Sequence, residues 1–255
     1  VFFYAFGDRR YDVQTRRSFC IGTGKNMLDI TKKPDKPLVA VSILSADFGN
    51  MVADCKDVMS KGGDLLHVDV MDGHFVPNLT MGQDMIAGIR RHMPDVYLDV
   101  HLMVERPQDY VATFAKAGAN MFTFHAEISY PAWPCGVKPD ELIKQIHDAG
   151  MDAGMVINPP TPAEVLLPYV DQVEMFLIMS VIPGASGGAY IPQVLEKAKW
   201  LKPHLPENVR LEIDGGMNPD RAPAAVAAGI DVIVSASAIF GSDDRAGVID
   251  RLKNA

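Results

Sequence analysis

From Leu38 onward, compact apolar runs alternate with longer segments that repeat their apolar positions at helical spacing. The compact runs predict strands over 38–44, 64–70, 96–103, 120–126, 151–157, 173–179, 209–214 and 231–236. The segments between them predict helices near 48–61, 82–92, 107–118, 139–149, 161–168, 190–202, 218–228 and 243–253. Punctuation agrees with this parse. Asp47 stands where it can cap the first helix, and Gly62, Gly118, Gly150 and Gly229 follow helical runs. Pro107, Pro139 and Pro162 stand at helix starts, where a missing N–H leaves no bond unmade.

Eight strand–helix units imply parallel strands, because each return to the same edge needs a crossover. Closing them into a barrel leaves no exposed sheet edge. The competing fold, an open doubly wound sheet, carries a glycine-rich turn after its first strand. Here Ser42 is followed by Ile-Leu-Ser-Ala-Asp, which counts against it. The expected fold is therefore α/β, a single (β/α)8 TIM barrel over residues 38–255 preceded by an N-terminal extension over 1–37. A chain of 255 residues suits that fold. The extension has an aromatic start and then Arg9, Arg10, Arg16 and Arg17, without the apolar core of a secretory signal. Two readings stand: an organellar targeting remnant, which Asp8 and Asp12 weaken, or an ordinary extension.

Composition narrows the function. Hydrophobic residues make up 48% and charged residues 22%, with a net charge of -8. With no long basic stretch, a nucleic-acid partner has no electrostatic support. No apolar run reaches membrane-spanning length, so no membrane partner is expected. Cys20, Cys55 and Cys135 form neither a disulfide framework nor a zinc-ribbon spacing.

The block from His67 to Gly73, HVDVMDG, carries the chemistry. Side chains alternate along a strand, so His67 and Asp69 point the same way. Asp99 and His101 share a face of the next strand, and the seventh strand ends at Asp214. A strand histidine is ordinarily a hydrogen-bonded core residue. Several ionisable groups near one barrel axis, however, are costly to bury without a partner. His67, Asp69, His101 and Asp214 can converge on one divalent metal, with Zn, Fe, Mn and Co indistinguishable from sequence. Asp99, one layer deeper, reads as an orienting carboxylate. Asp72 reads as either a site residue or a loop-fixing one, and His125 as a substrate contact. His74, His92, His147 and His204 read as loop, surface or locally bonded residues.

The late loops are rich in small residues. SVIPGASGGAY (180–190) carries Gly184, Gly187 and Gly188, DGGMNPD follows the seventh strand, and a short helix can begin near Ser237 after the eighth. Barrel enzymes bind phosphate with these loops through backbone N–H groups, which requires no lysine or arginine.

Together these segments resemble ribulose-phosphate 3-epimerases, over about Val41 to Leu252. The resemblance rests on SILSAD (42–47), HVDVMDGHFVPNLTMG (67–82), LDVHLMV (98–104), FHAE (124–127), NPPTP (158–162), IDGGMNPD (213–220) and SASAIF (235–240). It implies that His67, Asp69, His101 and Asp214 hold the metal and that Asp69 and Asp214 are the acid/base pair. Ser42 would bond near the reacting atoms, and Met71, Met103 and Met179 would surround a planar intermediate. Gly188, Gly215, Gly216, Ala236 and Ser237 would line the phosphate site. The chain departs from the family pattern at Ile182, at the loop PGASGGAY, at Ala236 and over the segment 130–137.

The implied reaction is metal-dependent, reversible epimerisation at C3 between D-ribulose 5-phosphate and D-xylulose 5-phosphate, a step of the pentose phosphate pathway. Two rivals are a 3-epimerase for another ketose phosphate, such as allulose 6-phosphate, and a non-catalytic phosphate-binding barrel. The expected partners are a sugar phosphate and further copies of the chain. The expected location is cytoplasmic, or plastid or mitochondrial if residues 1–37 are a targeting remnant.

Overall fold

The computed structural model describes residues 27–129, 137–184 and 187–255. Its strands are β1 (Leu38–Ser42), β2 (Leu65–Met71), β3 (Leu98–Met103), β4 (Met121–His125), β5 (Asp152–Ile157), β6 (Met175–Met179), β7 (Arg210–Asp214) and β8 (Val232–Ser235). Every neighbouring pair is parallel, and β8 pairs with β1 to close the barrel. Helices α1 (Met51–Ser60), α2 (Gln83–His92), α3 (Val111–Ala117), α4 (Pro139–Asp148), α5 (Val194–Leu201), α6 (Ala222–Ala227), α7 (Ser237–Phe240) and α8 (Arg245–Lys253) accompany it. The (β/α)8 barrel is as the hydrophobic pattern implies, and α7 starts where a short helix was expected.

Strand alternation divides the core in two. Leu66, Val68 and Val70 of β2 join Val39, Val41, Leu98 and Val100 in the large cluster shared with the helices, among them Cys55, Val58, Ile86 and Ile89. The other parity faces the axis. Ala40, Leu65, Tyr97, Met121, Met175, Val232 and Val234 fill the barrel floor, and Ile30, from just before β1, packs against them. Above this apolar floor the axial positions turn polar, with His67, Asp99, Thr123 and Glu212 all fully buried.

Two local expectations fail. Asp47 does not cap α1. It closes a turn by accepting from Gly49 N–H, its own N–H is held by Asp54 Oδ2, and Asn50 becomes the N-cap residue. The segment expected to be a helix over 161–168 is a 3₁₀ turn over Ala163–Tyr169. Pro168 sits inside it, and its missing N–H and fixed ring prevent a regular α-helix. Gly118 shows why glycine was legible as a helix stop. It ends α3 at φ 97°, a conformation that favours glycine.

The base of the barrel holds a cluster of titratable groups. Asp152 Oδ2 accepts from Tyr97 O–H at 2.6 Å, and His147 Nε2 lies 3.0 Å from Glu174 Oε2. Burial, followed by the Glu174 charge, pushes the Asp152 carboxyl up to about 6; Tyr97 and His147 oppose this, and Asp29 adds to it. A raised folded pKa means that stability is fully present below the unfolded value and lost as pH rises through the folded one. Asp152→Asn keeps an acceptor for Tyr97 and removes that loss. The variant should be more stable than the parent by up to about 3 kcal/mol at pH 8, or roughly 6–12 °C, with no advantage near pH 4. Thermal melts at both pH values check this; equal melting temperatures at pH 8 would refute it.

Candidate active site

The register sets Asp69 beside His101, with His67 one inward position below them on β2. Asp69 pairs with His101, Met71 with Met103 and Met179 with Asp214, while Ser42 pairs with His67. One donor atom from each of His67, Asp69, His101 and Asp214 lies within 4.8 Å of the others. His67 Nε2 is 3.4 Å from Asp69 Oδ1 and 3.4 Å from His101 Nδ1, and His101 Nδ1 is 3.1 Å from Asp69 Oδ1. Ligand atoms at the usual bond lengths around a tetrahedral ion stand about 3.4 Å apart. The spacing and the two-imidazole, two-carboxylate donor set therefore fit a divalent cation.

The surroundings prepare these groups. His67 Nδ1 lies 2.6 Å from Asp99 Oδ2, so Asp99 takes the Nδ1 hydrogen and leaves Nε2 directed at the cluster. Thr123 O–H donates to the other Asp99 oxygen at 3.0 Å. Ser42 O–H donates to Asp69 Oδ2 at 2.7 Å, which leaves Oδ1 for the cluster. Burial opposes charge on His67, but Asp99 and Asp69 outweigh it and hold the imidazole well above its ordinary pKa. Positive charge is thus favoured here, whether as a proton or as a metal.

The two candidate acid/base carboxyls are shifted in opposite directions. Burial would raise Asp69, but His67 and His101 more than offset it and hold the group well below the usual range. Burial, reinforced by the Asp69 charge, pushes Asp214 up to about 7. Unlike neighbouring carboxyls with the same tendency, this pair is predisposed to one charged and one neutral member.

One cavity at the C-terminal ends of the strands collects the remaining candidates. Ser42, Asp69, Met71, Met103, Met179, Gly184, Gly187, Gly188, Asp214, Gly215, Gly216, Ala236 and Ser237 all line it. His67 and His101 are fully buried and are not among its lining residues. Met71 and Met103, at the ends of β2 and β3, and Met179, at the end of β6, give the cavity apolar lining, and the late-loop glycines give it small lining. No lysine or arginine lines it among the described residues. Gly215 is needed where it stands: its φ is 120°, and a Cβ would lie 2.8 Å from the Val181 backbone nitrogen. Ser180 ties the sixth and seventh loops together by donating to the Asp214 and Gly215 carbonyls at 2.9 and 2.7 Å. Arg221 stacks over Tyr190 at 4.5 Å and donates to the Gly216 carbonyl, steadying the same loop from outside the cavity.

Some expectations move. His125 does not reach the cavity as a substrate contact. It is 1% exposed and packs between His101 and Phe75. Burial lowers its pKa to about 4, so its ring is neutral. Asp72 is a loop-fixing residue, accepting from the N–H groups of His74, Phe75 and Glu105 at 2.8 Å each. Glu212 went unnoticed in the sequence. It is fully buried below Asp214, neither of its oxygens has a hydrogen-bond partner among the described residues, and burial followed by the Asp99 charge raises its pKa strongly. Its parity with Asp214, two residues on, was the available signal. The segment 130–136, with Cys135, and Cys20 lie outside the described residues. Cys55 is a buried free thiol, pushed up to about 12 by burial.

A family model described as the ribulose-phosphate 3 epimerase family matches residues 38–240. The ribulose-phosphate 3-epimerase, cytoplasmic isoform, of Oryza sativa subsp. japonica is 42% identical over 220 residues, covering 85% of this chain and 93% of the relative. The ribulose-phosphate 3-epimerase of Bacillus subtilis (strain 168) is 41% identical over 221 residues, covering 85% and 98%. Among solved structures, a 3-hexulose-6-phosphate synthase superposes with a TM-score of 0.60 at 18% identity, covering 86% of this chain and 98% of that one. At that identity the likeness extends to the barrel alone.

Proposed function

The chain belongs to the ribulose-phosphate 3-epimerase family, and we propose that it interconverts D-ribulose 5-phosphate and D-xylulose 5-phosphate with Asp69 and Asp214 as its acid/base pair. The observation that carries the reading is two carboxyls, Asp69 and Asp214, that line one cavity and share a donor cluster with two buried histidines.

The C3 proton is weakly acidic because a ketone adjoins it, and its removal leaves an enediolate. Inversion requires a proton to leave one face and another to arrive on the opposite face. One of Asp69 and Asp214 accepts the C3 proton, and the other, protonated, delivers one to the opposite face; in the reverse direction their roles exchange. Ser42 steers this by binding Asp69 Oδ2, which fixes the carboxyl plane. His67, Asp69, His101 and Asp214 would hold one divalent metal, Zn, Fe, Mn or Co. Such an ion supplies Lewis acidity toward the oxygens that gain charge in the enediolate. Met71, Met103 and Met179 offer the planar intermediate an apolar surround that excludes water. Backbone N–H groups of Gly188, Gly215, Gly216, Ala236 and Ser237, with the neighbouring Gly184 and Gly187, take the phosphate, which holds C3 in register.

The enzyme is read as a homo-oligomeric barrel over 38–255. No helix among the described residues is long and apolar enough to cross a membrane. A relative is named a cytoplasmic isoform, and the cytoplasm is proposed here too; a plastid or mitochondrial address follows if residues 1–37 direct the chain. Substrate choice is tested by comparing kcat/KM on ribulose 5-phosphate and allulose 6-phosphate. The pentulose should be preferred by at least about tenfold, within what pocket fit alone supplies. Preference for the hexulose would reassign the substrate while keeping the chemistry.

A further inference from the structure

We infer that His125 and Glu127 form a positioning relay behind His101, dictating which ring nitrogen of that histidine is free to bind the metal. The inference rests on the reading of His101 as a ligand. β4 ends at His125, and a 3₁₀ turn, Ala126–Ser129, carries Glu127 back beside it. His125 Nε2 lies 3.0 Å from His101 Nε2, and its Nδ1 lies 3.1 Å from Glu127 Oε2. The two ring centroids are 5.1 Å apart with 27° between planes. With only 3.0 Å between the nitrogens, that is an edge-to-edge hydrogen bond. Phe75 packs against the His125 ring at 4.5 Å, and both histidines are shielded from solvent. Neither can exchange its partner for water.

The direction of each hydrogen follows from the far end. Glu127 Oε1 accepts from Asn158 N–H at 2.7 Å and from the Thr161 hydroxyl. Donors on a carboxyl favour its ionised form. A carboxylate offers only lone pairs, so His125 Nδ1 carries the hydrogen. A neutral imidazole has one N–H, which makes His125 Nε2 an acceptor and His101 Nε2 its donor. His101 Nδ1 is then left with a lone pair. It faces Asp69 Oδ1 at 3.1 Å and His67 Nε2 at 3.4 Å, the arrangement a cation needs. The opposite tautomers would set lone pair against lone pair at the buried His125–Glu127 contact.

Glu127 is itself held. The loop it binds, 158–161, has the carbonyls of Asn158, Pro159 and Thr161 gathered by Lys197 Nζ at 3.2, 2.6 and 2.5 Å. The FHAE and NPPTP segments thus act together and anchor the relay at its outer end. His67 has the simpler equivalent in Asp99.

The test uses the full chain labelled with ¹⁵N-histidine and loaded with zinc, read by long-range ¹H–¹⁵N correlation. The expected pattern is His101 with zinc on Nδ1 and a hydrogen on Nε2, and His125 with its hydrogen on Nδ1. Zinc on His101 Nε2, or a hydrogen on His125 Nε2, would overturn the relay alone. Zinc that leaves both His101 nitrogens unshifted would instead refute the ligand reading beneath it. Chelator competition gives a second readout. His125→Phe fills the space without an acceptor and should weaken zinc binding about 10–100-fold. His125→Gln, whose amide oxygen can accept where Nε2 did, should recover most of the loss. Parental zinc affinity in the phenylalanine variant would overturn the relay.

Discussion

Asp214→Asn should lower epimerase turnover by roughly three to four orders of magnitude, the upper range for a lost acid/base group. The same loss follows Asp69→Asn. Each carboxyl lines the cavity, and in the proposed mechanism each handles the proton on one face of C3, so neither can substitute for the other. Asparagine keeps the shape and a carbonyl oxygen but can neither accept nor deliver the proton. The double variant should lie within about tenfold of either single one, because residues acting as one unit do not add. Steady-state turnover on protein of verified metal content and unchanged melting profile checks this. Near-parental turnover in either single variant would sink the two-carboxyl assignment.

Removal of a divalent metal from the His67–Asp69–His101–Asp214 cluster should have the second largest effect. His67, Asp69, His101 and Asp214 bring one donor atom each within 4.8 Å of the others, a donor set that suits a divalent cation. Chelation should lower turnover at least about 100-fold, since Lewis-acid stabilisation of a developing oxyanion is worth several kcal/mol. Zinc, manganese, cobalt or ferrous iron should restore it to differing extents, which would identify the metal the site uses best. The measurement is turnover against metal content, determined on the same samples. Protein free of metal with undiminished turnover would remove the metal from the reaction.

Much of this was legible in the sequence because strands impose a period of two. His67 with Asp69 and Asp99 with His101 could be given a common inward face before any coordinates. Barrel closure then supplies what parity cannot, the register that sets Asp69 against His101 and Met179 against Asp214. Helix stops were legible at Gly118, where a left-handed residue ends the helix. Starts were less so. At Asp47 the side chain turns back on Gly49 instead of reaching α1, a choice between two local hydrogen bonds that composition does not decide. The 3₁₀ turn over Ala163–Tyr169 was missed because apolar spacing suggested a helix, although Pro168 was the warning.

The site residues missed share a cause. His125 stands at a strand end, where sequence places substrate contacts, yet the turn after it brings Glu127 to its Nδ1 and Phe75 over its ring. That geometry belongs to three separate segments. Glu212 likewise shares the inward parity of Asp214, but its depth and its want of hydrogen bonds among the described residues emerge only once β2, β3 and β7 surround it. The late loops were legible as a group of small residues, and the cavity gathers all of those named without recruiting a basic side chain from the described residues.

The most direct test incubates the metal-loaded protein with ribulose 5-phosphate in heavy water and follows C3 by NMR. Xylulose 5-phosphate carrying solvent-derived deuterium at C3 is the expected product, because a proton accepted by one carboxyl is replaced from the other. Protein of verified metal content that yields neither product nor exchange at C3 would contradict the assignment of this barrel as a 3-epimerase for that substrate.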